Sequence, residues 1–166
     1  MNKTELLEKL NDIEWQDFEV KESQNTLPKS CWETVSAFAN TNGWWLVLGV
    51  KHKNKTYEIV GVSNPEKIEQ DFLTVLRGEK FNQKLNAKSY KYIIESKTVL
   101  SFYIPESDSK PLYFNNRKNT FIRSGSGDQR ATDYEIDAMY RNSAFGAKDK
   151  ELNLWILVDC LRILLQ

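Results

Sequence analysis

Between Glu33 and Val62 the chain reads ETVSAFANTNGWWLVLGVKHKNKTYEIVGV, an order of segments that few folds accommodate. Cys31, Val35 and Phe38 recur at helical spacing, and Asn42-Gly43 supplies the turn chemistry that stops a helix. Trp44 to Val50 follows at once and is apolar on both faces of a strand. Only a strand covered on both sides tolerates that pattern, so it belongs at the centre of a sheet. Lys51 to Thr56 is a charged turn, and Tyr57 to Val62 returns as the antiparallel partner.

The flanks extend this pattern. Thr4 is placed to cap a short helix carrying Leu6, Leu7 and Leu10 on one face. A strand from about Trp15 to Val20 follows, and Pro28 suits the first turn of the helix ahead of the central strand. Asn64-Pro65 opens another helix with Ile68, Phe72 and Val75 inward, closed by Gly78. Tyr90 to Glu95 and Thr98 to Ile104 read as a hairpin around Ser96-Lys97. Pro105 to Pro111 is loop, since two prolines leave no room for a ladder. Leu112 to Phe114 and Thr120 to Arg123 flank a polar turn. Thr132-Asp133-Tyr134-Glu135 is a capping box for a helix burying Ile136, Met139 and Tyr140. Hairpins dominate, so the expected class is α+β: a mixed, largely antiparallel sheet of hairpins covered by helices.

A length of 166 residues suits one domain, which at that size buries about two thirds of its unfolded surface. The domain is expected over residues 1–146. From Leu152 to Leu165 the chain is apolar at most positions, with Leu154, Val158, Leu161 and Leu165 on one helical face. Asp159 and Arg162 interrupt it, and it is shorter than the ~20 residues a bilayer requires. Residues 147–166 therefore read as a docking or association helix, for a homodimer or a neighbouring domain, and not as a membrane span. Cys31 and Cys160 lack metal-ligand spacing and read as reduced, buried thiols of a cytoplasmic protein. Lys and Arg number 23, as do Asp and Glu, so nucleic-acid binding would have to come from a local patch.

Four stretches carry a family resemblance: Phe18-Glu19-Val20-Lys21-Glu22-Ser23, then Val35-Ser36-Ala37-Phe38-Ala39-Asn40-Thr41 leading through Gly43 to Leu48-Gly49-Val50, then Ile59-Val60-Gly61-Val62, and Phe121-Ile122-Arg123-Ser124-Gly125-Ser126. Together they resemble the Schlafen-type AlbA-like domain, also described as a divergent AAA or DNA-binding domain, over about Ile13 to Arg141. The resemblance implies a nucleic-acid-binding module, of the kind a transcriptional regulator carries. It also implies an alternative, because ribonuclease members use two glutamates and an aspartate. Glu14 and Glu19 match the spacing of the two glutamates. The third acid is expected after Gly49-Val50, where Lys51-His52-Lys53 stands instead, so a third ligand would have to come from elsewhere, such as Asp17. Cations there oppose a site for a divalent ion, and the plainer reading of Glu14 and Glu19 is paired or solvated charges at a strand end. No metal site is therefore expected.

Ser124-Gly125-Ser126-Gly127 reads as a loop between a strand and a capped helix, a place where backbone amides approach an anion. Its plainer reading is a turn. No G-x-x-x-x-G-K-[ST] run occurs, so no nucleotide cofactor is expected. Lys21, Lys51, Lys53, Arg117, Lys118, Arg123 and Arg130 supply cations near these loops, with Lys21 and Arg123 inside the motifs. The expected phosphate-contacting set is Lys21, Arg123, Ser124, Gly125, Ser126 and Arg130. Trp15, Trp44 and Trp45 could stack on bases, but their strand positions favour packing. A protein-interaction module without nucleic acid is the third reading. Asn40 to Gly43 is read as a helix C-cap.

Overall fold

A computed structural model describes residues 1–11, 18–53, 56–125 and 127–146. The expected apolar helix over 147–166, with Cys160, lies outside the described residues, as do Glu14, Trp15, Asp17 and Ser126.

The α+β expectation holds. Helix α1 (Lys3–Asn11) precedes strand β1 (Phe18–Lys21), helix α2 (Ser30–Asn40) and strands β2 (Trp44–Leu48), β3 (Val50–Lys53) and β4 (Thr56–Ile59). Helix α3 (Pro65–Arg77), strands β5 (Lys88–Ile94), β6 (Lys97–Ile104), β7 (Phe121–Ser124) and β8 (Gly127–Arg130) follow, and helix α4 occupies residues 133–146. The central sheet has the order β1-β2-β6-β5, with β1 parallel to β2 and the other pairs antiparallel. Two further hairpins, β3–β4 and β7–β8, stand apart from it.

Alternation along β2 splits the core in two. Leu46 and Leu48 face α2 and α3 with Leu100, Phe102 and Ile104 of β6. Val47 faces the other way, into a smaller cluster with Leu6 and Leu10 of α1, Phe18, Val50, Ile59 and Val99. All three β2 residues are fully buried, as a doubly covered strand requires. The strand does not run to Val50 as its composition suggests. Gly49 adopts φ +91°, and a Cβ there would sit 3.1 Å from the Thr98 carbonyl oxygen, so the chain bends out of the sheet at this residue. Beyond the bend, β3 pairs with β4 as a separate ribbon, with Lys51 opposite Glu58 and His52 opposite Tyr57.

Local chemistry sets the helix ends, with one departure from expectation. Asn2, and not Thr4, caps α1: its Oδ1 accepts from the Glu5 N–H at 2.9 Å while the Glu5 carboxylate accepts from the Asn2 N–H at 3.0 Å. Asn64 caps α3 by accepting from Lys67 N–H. The Thr132–Glu135 capping box forms as expected. In α3 the buried residues are Ile68, Phe72 and Leu76, with Val75 half-buried. In α4 Ile136 is buried, Met139 is half-buried and Tyr140 is exposed. The hairpin turn between β5 and β6 falls at Glu95-Ser96, both at positive φ.

Helix α2 is buried nearly all round because it is covered twice. Cys31, Val35 and Phe38 join the core, while the opposite side carries β7–β8. Ser36 and Asn40, one turn apart, make that second contact. The Ser36 hydroxyl donates to the Leu112 carbonyl at 2.7 Å and accepts from Phe121 N–H at 3.0 Å. Asn40 Nδ2 donates to the carbonyls of Leu112 and Phe121 at 2.8 and 2.9 Å, and its Oδ1 accepts from Leu112 N–H at 2.7 Å. Asn40 is thus a buried tie between three segments, while the capping role expected of it passes to its neighbours. The Thr41 hydroxyl donates to Ala37 C=O, and Gly43 N–H donates to Phe38 C=O. Replacing Asn40 by Ala strands buried backbone groups that cost about 1–3 kcal/mol each. Asn40→Ala should lower unfolding free energy by about 2–4 kcal/mol in urea titrations, whereas Asn42→Ala should change it little.

Candidate nucleic-acid interface

Strand β1 is an edge of the central sheet, and both detached hairpins meet it. On one side Phe18 packs edge-on against Tyr57 of β4 at 6.3 Å, and Lys51 of β3 pairs with Glu22 at 3.2 Å. On the other side Arg123 of β7 reaches Glu19. Its Nη1 donates to Glu19 Oε2 at 3.0 Å and to Asp128 Oδ1 at 2.8 Å, and Nη2 lies 3.4 Å from the Phe18 carbonyl. Lys21 pairs with the second Glu19 oxygen at 2.9 Å, and the Thr34 hydroxyl donates to the second Asp128 oxygen at 2.6 Å. One guanidinium therefore sits between two carboxylates, which are themselves held by a lysine and a threonine.

The Arg123 side chain is 3 % exposed, and its guanidinium lies over the Phe38 ring at 5.4 Å. Its backbone N–H donates to Thr41 Oγ1 at 3.1 Å, so the end of α2 fixes where β7 places it. The cation expected at a phosphate instead faces inward. Giving up two charged hydrogen bonds in a buried setting to reach a ligand would be costly. Burial and the nearby Glu19 carboxylate push the Tyr57 hydroxyl above its ordinary value.

Of the other expected contacts, Lys21 is mostly buried in its pair with Glu19, whereas Ser124 and Gly125 are exposed. Arg130 is exposed too; it lies over Phe121 at 4.9 Å and donates to the Lys118 carbonyl and to Asn119 Oδ1. The Ser124–Gly127 segment joins two strands of a hairpin, with Ser124 opposite Gly127. It does not lead into a helix as expected, so no helix dipole contributes at the turn. Gly127 to Arg130 forms a strand although its polar composition suggests a loop.

Lys51, His52 and Lys53 lie exposed along the β3–β4 ribbon, and His52 stacks obliquely on Tyr57 at 5.2 Å. Trp44 is half-buried against Phe38, as packing predicts. Asp128, Thr34 and Tyr57 complete the arrangement around Glu19 and Arg123, yet nothing in their sequence context marks them. Among the described residues, no three His, Cys, Asp or Glu side chains converge as they would around a metal ion.

A family model for Schlafen, AlbA_2 matches residues 14–132, a span that holds both Glu19 and Arg123. The chain belongs to the Schlafen AlbA_2 family. The N-terminal domain of a RecG-related protein from Nitrosomonas europaea, whose name places it with ATP-dependent DNA helicases, is 32% identical to it. That similarity covers 80% of this chain and 95% of the other, with a TM-score of 0.60. The DIP2311 protein of Corynebacterium diphtheriae shares the fold at 17% identity and a TM-score of 0.52, over 76% of this chain and 24% of its own length. No curated protein matches the chain.

Two outcomes follow from the AlbA_2 site. Arg123→Met leaves Glu19 and Asp128 facing each other without their shared cation, and should destabilise by about 3–5 kcal/mol. Adding Glu19→Gln and Asp128→Asn should recover a large part of that loss in denaturant titration. Cys31 lies below this network, and burial raises its thiol pKa from 9.0 to about 12. The unfolded thiol ionises first, so this contribution to stability is intact below pH 9 and is lost as pH rises toward 12. Peptide mapping after alkylation at pH 8.5 should find Cys31 unmodified in the native protein and modified in urea.

Proposed function

We propose that this AlbA_2 domain is a nucleic-acid-binding module that contacts phosphates along the β1 edge, of the kind a transcriptional regulator carries. The observation behind this reading is the β3–β4 ribbon, which leaves the sheet at Gly49 and presents Lys51, His52 and Lys53 to solvent. A two-stranded ribbon of this width fits a nucleic-acid groove. Exposed lysines along it supply phosphate contacts that do not read sequence. In this proposal Ser124, Gly125 and Arg130 extend the contact at the second hairpin. Arg123 holds β7 against β1 through Glu19, whose other oxygen Lys21 pairs with, and Ser126 is left as a sequence-level candidate.

The similarity to a domain of a helicase-related protein supports the same reading. The endoribonuclease alternative needs Glu19 free to bind a metal, whereas Arg123 and Lys21 already neutralise it. We further propose a cytoplasmic setting, in keeping with the free, buried Cys31. Among the described residues no helix is long and apolar enough to cross a membrane. Self-association or domain docking through Leu152 to Leu165 belongs to the same proposal, on composition alone.

Fluorescence anisotropy with labelled single- and double-stranded DNA and RNA tests the reading. Affinity should fall linearly on logarithmic axes between about 50 and 200 mM salt. Lys51→Glu with Lys53→Glu should weaken binding at least tenfold and reduce the salt slope by about two. Absence of binding to all four nucleic acids at the lower salt would refute it.

A further inference from the structure

The face of the central sheet opposite α2 and α3 carries a row of rings in which Phe18 is core and Trp45, Tyr103 and Tyr90 stay partly exposed. Register places Lys88 beside Tyr103, Tyr103 beside Trp45, and Trp45 beside Phe18, so these four share one face across four strands. Tyr90 stands two residues along β5 on the same face. Trp45 lies 5.2 Å from Tyr103 and 5.5 Å from Tyr90 between ring centroids, tilted by 56° and 57°. Helix α1 covers the far end of this face: the Tyr92 hydroxyl donates to the Met1 carbonyl, and Leu6 and Leu10 pack with Phe18 and Val47. Nearer the open end, Trp45 and Tyr103 are only half-buried, Lys88 is exposed and Tyr90 is 38 % exposed.

We infer that Trp45, Tyr90 and Tyr103, with Lys88 at their edge, form a stacking platform for the bases of single-stranded nucleic acid. The inference rests on the nucleic-acid reading above and adds a strand preference and a second surface to it. A half-exposed ring offers a π-face to any base, and an ammonium beside it meets the backbone phosphate that accompanies the base. Charge favours this occupant over an apolar peptide, because Lys88 lies in the same row as the rings. Duplex bases are already stacked and present no free face, so this surface selects single strands while the lysine ribbon serves backbone contact in either form.

The test compares a 20-nucleotide oligothymidylate with a 20-base-pair duplex, binding the full chain at fixed low salt. Tyr90→Ser changes an exposed side chain and should leave the thermal midpoint nearly unchanged. It should weaken oligothymidylate binding about 5- to 100-fold, the cost of losing one stacked base, and leave duplex binding within twofold. Lys88→Glu should act in the same direction on the single strand. Trp45→Leu, checked first for folding by circular dichroism, should abolish any intrinsic fluorescence quenching caused by oligothymidylate. If the wild type binds the nucleic acids but Tyr90→Ser and Lys88→Glu leave oligothymidylate affinity unchanged, the platform is overturned and the ribbon reading stands. If the wild type binds neither, both fall together.

Discussion

Everything around the β1 edge depends on how β7 is fastened to α2. Hydrophobic burial alone would leave β7 free to slide, because apolar contacts carry little directional information. Ser36, Asn40 and Thr41 remove that freedom: within the last turns of one helix they engage Phe121 N–H, Phe121 C=O and Arg123 N–H. With the backbone so placed, the Arg123 guanidinium arrives between Glu19 and Asp128, which ties β1 and β8 to the same point. Buried ion pairs seldom add much net stability, since desolvation offsets the Coulomb attraction. Their value here is positional: moving β7 by one residue would turn Arg123 to the opposite face and leave two carboxylates facing a gap.

This explains which parts were readable from the chain. Most helix and strand identities from α2 to β6 follow from period and glycine placement, because Trp44 to Leu48 can satisfy its apolar pattern only in a covered strand; the exception is β3, where Lys51 to Lys53 reads as a charged turn but pairs with β4. The motifs were visible as motifs, but their physical content was not. Asn40 beside Gly43 carries the signature of a cap, and only the return of Leu112 and Phe121, far along the chain, makes it a buried bridge. Arg123 beside a Gly/Ser turn similarly suggests an exposed phosphate contact. Its burial depends on Asp128, whose Gly-Asp-Gln-Arg setting looks like loop and gives no periodic sign of a strand.

The acidic pair is where family resemblance and local chemistry diverge. Glu19 and Asp128 both reach one point, but among the described residues no third acidic, His or Cys side chain joins them as a metal centre would need. The Arg123 guanidinium occupies the point between them, and it is anchored by its own backbone as well as its side chain. A metal would have to displace a tethered cation, whose effective concentration is set by the fold. The same protein scaffold can therefore carry a carboxylate cluster as a structural joint.

A chain with 23 basic and 23 acidic residues cannot draw a polyanion from a distance, since the long-range field of a neutral protein is weak and is screened within about 10 Å at 0.1 M salt. Any attraction must act at short range, and its sign is decided by which charges are free. Glu19 and Asp128 are quenched by Arg123, and Lys91 and Glu66 pair with each other. Lys53 projects from the ribbon with no acidic partner among the described ion pairs, while Lys51 shares Glu22 in an exposed contact that a phosphate could replace at little cost. Pairing Glu19 and Asp128 with Arg123 removes two acids from the β1 edge, while Glu58, exposed opposite Lys51, still offsets part of the ribbon's positive charge. Under the nucleic-acid reading, such a surface would hold a polyanion by short-range contact and release it as salt rises.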